Sequence, residues 1–262
     1  MNPVEVIQGD GPVILGLPHG GTHVPADIGM RLNHNGKLLA DTDWHITRLY
    51  DGLLPSATTV AATFHRYVID ANRDPSGQSL YPGQNTTELC PTSDFDGFPI
   101  WLAKPSEDDI SARRAAFHAP YHAALAAEVA RVKAKHGVAI VYDCHSIRSR
   151  IPFLFEGILP TLNIGTDMGK TCDAEIEQAT FEIAKASGHT HILNGRFRGG
   201  WTTRHYGQPA HGVHAIQMEI TQSAYLDAEA PPFFYSQPKA EALRVTLKTI
   251  LETLEAQAKE LA

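Results

Sequence analysis

The stretch HGVAIVYDCHSIRSR, residues 136–150, decides the fold class. Its run VAIVYDCHS (138–146) reads as a strand, and it follows directly on residues 106–136, an alanine-rich segment of helical periodicity that Pro120 should kink or divide. The same alternation extends outward in both directions. Towards the N-terminus, PVILGLP (12–18) is a short apolar run ending in the turn signals HGGTHVP, a buried strand that delivers a loop. DTDWHITRLYDGL (41–53) reads as a helix whose first turn carries acids, with Asp41 or Asp43 as its cap. ATTVAATF (57–64) and RYVIDANR (66–73) are rich in β-branched residues and read as strands. Towards the C-terminus come TLNIGT (161–166), a helix around 173–187, HTHILN (189–194), the strand VHAIQMEITQ (213–222) and a closing amphipathic helix over 237–261. Strands alternating with helices predict an α/β fold, one domain over residues 1–262, with a mixed or largely parallel sheet flanked by helices. Residues 74–105, dominated by Pro, Gly, Ser, Thr and Asn, form an irregular excursion of the length that usually serves function.

Composition excludes several classes. The 262 residues are 43% hydrophobic and 19% charged, ordinary values for a chain that folds by itself. A formal charge of -7 supplies no basic footprint, so neither nucleic acid nor an anionic membrane is an expected partner. Cys90, Cys144 and Cys172 are odd in number and form no CxxC pair, which fits a reducing compartment better than a disulfide framework. The N-terminal residues lack the pattern of a secretory signal, so a cytoplasmic location is expected. Oligomeric state has no signature here.

The residues able to do chemistry gather at expected strand ends, where open α/β sheets place ligands. His19 follows VILGLP, His145 follows VAIVYDC, and Glu219 lies late in HAIQMEI, on the more polar face of that strand together with Gln217. Asp43 can approach the first of these. Two imidazoles and one carboxylate, with a position left for water, form the ligand set of hydrolytic zinc sites, and Glu219 then remains available as a base. Asp41 or His23 could replace Asp43 as third ligand. Asp143 and His45 are expected behind the ligands or as structural groups. N/O donors accept Zn2+, Co2+, Mn2+ or Fe2+, so the pattern does not select one. A second group is cationic: Arg66 and Arg73 flank YVIDAN, with Asn72 beside them, while Arg148, Arg198 and Arg204 lie in SIRSR and GRFRGGWTTRHYG. Guanidinium forks bind carboxylates bidentately, so the cluster implies a small substrate carrying carboxylates.

Seven collinear fragments, PHGGTHVP, LLADTDWHITRLYD, RYVIDANRDP, DCHSIRSRIPFLFEG, LNIGTDMGKTCD, GRFRGGWTTRHYG and HAIQMEITQ, resemble the N-formylglutamate amidohydrolase (deformylase) family from about residue 12 to 225. The resemblance implies a phosphorylase/hydrolase-like α/β fold distantly related to zinc carboxypeptidases. It implies hydrolysis of N-formyl-L-glutamate to formate and L-glutamate in histidine breakdown. Carried over by residue, it implies His19, Asp43 and His145 as ligands of a divalent metal, zinc first, and Glu219 as general base. Arg66 would assist the oxyanion, and Asn72 and Arg73 would hold the α-carboxylate. The chain reads PHGG where PHSG is expected in many relatives, and it has neither HxxE nor HExxH after His19.

Three rivals remain at this level. One is a deacylase for another N-acyl amino acid, or a small peptidase. Another is a non-catalytic dicarboxylate-binding protein whose histidines are structural. A third uses Cys144 as a nucleophile beside His145, but neighbours along a strand point to opposite faces.

Overall fold

The computed structural model describes residues 2–79 and 83–261. Seven strands among them form one sheet: β1 (Val4–Ile7), β2 (Val13–Leu17), β3 (Thr58–Ala62), β4 (Ala139–Ile147), β5 (Leu162–Gly165), β6 (His191–Leu193) and β7 (Val213–Thr221). Their order is β1-β3-β2-β4-β7-β5-β6. The central strands β3, β2, β4 and β7 run parallel, whereas β1 is antiparallel to β3 and β5 antiparallel to β7, which makes the sheet mixed. All nine residues of β4 and of β7 are buried, as expected for strands covered on both faces.

Seven α-helices accompany the sheet: α1 (Ala26–Gly29), α2 (Ile46–Tyr50), α3 (Glu107–Arg113), α4 (Ala119–His136), α5 (Ala174–Ala186), α6 (Trp201–Tyr206) and α7 (Gln237–Ala258). On one face Tyr121, Leu125, Val129 and Val132 of α4 form an apolar stripe against Ile14, Val60, Val141 and Ala215. On the other, Leu243, Leu247, Ile250 and Leu254 of α7 join Ile46 and Leu49 of α2 and Ile176 of α5 over Leu15, Tyr142, Cys144 and Met218. Each fully buried leucine of this kind contributes about 1.5–3 kcal/mol, so the sheet is fixed from both sides before any polar group is considered. The α4 stripe ends at Gly137, whose φ of 78° gives the left-handed cap that lets the chain turn straight into β4.

Two local expectations are corrected. RYVIDANR forms no strand: after β3 the chain turns, with Val68 N–H on His65 O and Arg73 N–H on Asp70 O. Its apolar residues Tyr67, Val68, Ile69 and Ala71 are buried in the core while Arg66, Asp70 and Asn72 are drawn to one polar centre, a division that strand alternation could not provide. The segment 41–53 is helical only over Ile46–Tyr50, entered through His45 at φ 59°, so Asp41 and Asp43 precede the helix and neither caps it. As expected from Pro120, which cannot donate to the preceding turn, the segment 106–136 is divided into α3 and α4, by a π-helical turn, Arg114–His118. The short edge strand β1 lies outside the sequence reading altogether. Within 74–105 the chain is irregular apart from isolated bridges, and Leu80, Tyr81 and Pro82 lie outside the described residues.

Candidate metal centre and cleft

Parallel pairing brings the C-terminal ends of β2, β4 and β7 to one edge. His19 stands two residues beyond β2. His145 lies near the end of β4, directly opposite Glu219 on β7, and Asp143 is opposite Gln217. The four side chains therefore share a face of the sheet, while Cys144 points into the opposite core, fully buried, with its thiol on Tyr142 O. The Cys144–His145 dyad is thus excluded by the pleat. Asp43 reaches the same edge because its N–H is held by the carbonyl of His19 at 3.1 Å. The loop that carries His19 runs against β3: Gly21 packs on the backbone of Ala62 and Thr63, where a Cβ would have no room.

His19, Asp43 and His145 converge, all buried. The two Nδ1 atoms are 3.2 Å apart, and Asp43 Oδ2 lies 3.5 Å from His145 Nδ1 and 3.9 Å from His19 Nδ1. Donors around a tetrahedral zinc with bonds of roughly 2.0–2.1 Å stand about 3.3 Å apart, so the spacing matches a shared cation. The outer nitrogens are occupied elsewhere. His19 Nε2–H donates to Asp70 Oδ1 at 2.7 Å, and His145 Nε2 lies 3.0 Å from Asp143 Oδ1 and 3.1 Å from Asn72 Nδ2. A carboxylate behind each imidazole is the usual way of orienting a metal-binding histidine and raising its basicity. Asp43 Oδ1 accepts from Arg66 at 2.7 Å and Oδ2 from Ser146 N–H at 2.9 Å, which fixes the carboxylate.

Charge points the same way. Asp43, Asp70, Asp143 and Glu219 are four buried carboxyl groups, and among the described residues Arg66 and Arg73 are the guanidiniums paired with this network. With neutral imidazoles two negative charges are left over, the deficit one divalent cation fills. Burial, opposed by His145 and reinforced by Asp43, pushes Glu219 up to about 8. Burial disfavours charged His145, but Asp143, Asp43 and Glu219 together lift it well above the ordinary imidazole value. Burial and then Arg66 hold His19 below its ordinary value, in the neutral form that binds metals. Against the burial that would raise it, His19 and Arg73 hold Asp70 well below the usual carboxylate range.

The centre opens into a cleft lined among others by His19, Arg66, Asn72, His145, Gln217 and Glu219. Gln217 donates to Glu219 Oε2 at 3.1 Å and accepts from Gly200 N–H at 2.6 Å. Among the described residues the cations lining the cleft are Arg66, Arg73 and Arg196. Arg66 lies over the Phe95 ring. Arg73 spends donors on Thr87 O and Oγ1 at 2.9 and 3.0 Å, tying the excursion to the site. Arg148, Arg198 and Arg204 are not among the lining residues: Arg148 bonds Asp96 at 2.8 Å, Arg198 bonds Gly195 O, and Arg204 bonds Gly199 O and lies 3.4 Å from Asp167. Asp41 stands apart from the ligands, accepting from Tyr67 OH and Phe95 N–H. His23 N–H bonds Thr63 O, and His45 Nε2–H donates to Phe233 O.

Sequence reasoning missed Asp70 and Arg196. An aspartate between Arg66 and Arg73, in a segment with one further polar residue, Asn72, could have been read as a turn around a site rather than as a strand. Arg196 sits two residues from Arg198 in the same GRFR, and spacing alone cannot say which of them faces inward.

The sequence model of the family described as N-formylglutamate amidohydrolase matches residues 11–226. N-formylglutamate deformylase of Pseudomonas aeruginosa is 42% identical over 257 residues, covering 97% of this chain and 96% of that protein. The enzyme of the same name from Pseudomonas putida is 41% identical over 251 residues, 94% of this chain and 93% of its own. A crystal structure of N-formylglutamate amidohydrolase from Ralstonia eutropha JMP134 shares the fold, with a TM-score of 0.81 at 24% identity over 98% of this chain and 99% of that one.

Proposed function

Because this chain belongs to the N-formylglutamate amidohydrolase family, we propose that it hydrolyses the amide of N-formyl-L-glutamate to formate and L-glutamate, as a step of histidine breakdown. The observation that carries the reading is the meeting of two imidazole Nδ1 atoms and one carboxylate oxygen opposite a fourth acid, Glu219, at the foot of an arginine-lined cleft. His19, Asp43 and His145 would hold one divalent cation, zinc first, and the cation supplies Lewis acidity towards the acyl carbonyl and the attacking water.

The chain's own groups do the rest. Glu219, which faces the three candidate ligands from β7 opposite His145, accepts the proton of the attacking water and returns it to the amide nitrogen as the C–N bond breaks. One C–O bond forms, one C–N bond breaks, and the water proton leaves on the amine. Arg66 is held by Asp43 beside the reacting centre and stabilises the developing oxyanion. Gln217 fixes the rotamer of Glu219. Asn72 and Arg73 receive the α-carboxylate, and Arg196, fixed by the carbonyls of Leu154 and Asn85 at 3.0 and 3.1 Å, receives the side-chain carboxylate. All three cysteines are free and buried, consistent with a reducing cytoplasm, and no helix among the described residues is long and apolar enough to cross a membrane.

Turnover of N-formylglutamate, N-acetylglutamate, N-formylaspartate and N-acetylaspartate, on one preparation assayed for metal, tests the proposal. Preference for N-formylglutamate with about one equivalent of metal supports it. Equal rates on formyl and acetyl substrates would refute the acyl assignment, and turnover unaffected by complete metal removal would refute the mechanism.

A further inference from the structure

The turn Asp70–Arg73 touches the rings of both His19 and His145, and its own backbone is held in turn. Asp70 Oδ1 takes His19 Nε2–H and also the N–H of Asn72 at 2.8 Å, while the Asn72 amide packs 3.1 Å from His145 Nε2, whose N–H is directed at Asp143 Oδ1. Asn72 is oriented by Thr202 N–H on its Oδ1 at 2.8 Å and by Gly200, which packs so closely on the amide that a Cβ there would collide with it. The carbonyls of Ala71 and Arg73 point the other way, to the end of the π-helical turn and the first turn of α4. His122 donates Nε2–H to Ala71 O at 2.7 Å, and His118 donates Nε2–H to Arg73 O at 3.0 Å. The two carbonyls alternate with the two side chains that touch the ligands. Positions 118 and 122 lie one helical turn apart, so their rings are neighbours, with centroids 4.5 Å apart and planes tilted by 41°.

We propose that His118 and His122 are positioning residues: a paired clamp that acts through the turn Asp70–Arg73 to set the orientation of His19 and His145 towards a divalent cation. The surroundings favour a permanent clamp. Trp201 lies edge-on to His122 at 4.6 Å and stacks on His205 at 4.3 Å, and Tyr206 OH is 3.1 Å from His122 Nδ1. Burial lowers the proton affinity of both rings, His122 to about 3, so each stays neutral with a fixed Nε2–H donor. A carbonyl only accepts, so the tautomer follows from the geometry.

The inference rests on the metal reading above, and its test separates the two. Zinc affinity by chelator competition, hydrogen exchange of residues 70–73 in metal-free protein and turnover of N-formylglutamate are measured for the unmodified chain and for His118→Ala, His122→Ala and the corresponding Gln variants. Each Ala variant is expected to bind zinc about 3- to 10-fold more weakly, somewhat less than the loss for groups touching the ligands directly, and to exchange the turn faster. Gln, which keeps a side-chain N–H donor, should restore much of both, and excess zinc should recover turnover of the Ala variants. Zinc affinity and exchange unchanged in the Ala variants would overturn the clamp while leaving the proposed reaction intact. An unmodified chain that binds zinc without hydrolysing N-formylglutamate would sink the reaction and leave the clamp testable. Should the Ala variants fail to fold, nitrogen NMR of the histidine rings decides: neutral Nε2–H tautomers at both positions are predicted, and an Nδ1–H tautomer at either contradicts the clamp.

Discussion

Asp70→Asn changes one oxygen to an NH2 group and leaves the shape of the site intact, yet it removes the charge behind His19. Asp70 is fully buried; its Oδ1 holds His19 Nε2–H at 2.7 Å and Asn72 N–H at 2.8 Å, and its Oδ2 lies 3.7 Å from Arg73 and 3.9 Å from Arg66. Removing an outer carboxylate behind a metal-binding histidine costs about 10–100-fold in metal affinity, equivalent to about 1.4–2.7 kcal/mol. Stability should suffer as well. Breaking a buried ion pair costs about 3–5 kcal/mol, and here the lower end is expected, because Arg66 keeps Asp43 at 2.7 Å and Arg73 keeps Thr87. The pH dependence has a definite sign. Asp70 is held well below its ordinary value in the folded state, so its contribution is fully present above the unfolded value of about 3.9 and fades as pH falls through the folded value. The variant's stability deficit should be constant at neutral pH and shrink only in strong acid. Zinc competition and urea unfolding of metal-free protein measure the two effects; an affinity within twofold of the parent would refute the role assigned to this carboxylate.

Glu219→Gln should retain metal and fold while turnover falls about 10²–10⁴-fold, the usual worth of a general base; near-normal turnover puts the base elsewhere. Because burial holds Glu219 near 8 and its acidic neighbours lift His145, metal uptake at neutral pH should release protons and tighten as pH rises, which calorimetry in buffers of different ionisation enthalpy reads directly; uptake without proton release would contradict the charge balance. Arg196→Ala should raise KM for N-formylglutamate at least tenfold with a smaller change in kcat, whereas Arg148→Ala, already bonded to Asp96 outside the cleft lining, should change neither by more than about twofold. Cys144→Ser should keep most of the activity, since that side chain faces the core behind the sheet; loss of turnover in a folded, metal-loaded variant would revive a thiol mechanism.

Where burial and periodicity agree, the sequence was an adequate guide: the runs at 13–17, 139–147 and 213–221 are strands buried on both faces, rich in apolar residues and bounded by turn residues. The histidines at the ends of such strands were legible for the same reason. RYVIDANR misled because its β-branched residues are in the core while its polar ones converge on a point, and a local pattern carries no record of a centre built from β2, β4 and β7. Asp70 was invisible until the turn it sits in was known. The choice between Arg196 and Arg198 depended on which way a loop faces, information that lies in packing against Leu154 and Asn85.

The most direct test of the central claim is anomalous diffraction at the metal's absorption edge from crystals of the zinc- or cobalt-loaded protein. One peak bonded to Nδ1 of His19, Nδ1 of His145 and a carboxylate oxygen of Asp43, with Glu219 facing it unbound, is the predicted result. A peak elsewhere, or coordination through the Nε2 atoms now facing Asp70 and Asp143, would contradict the account.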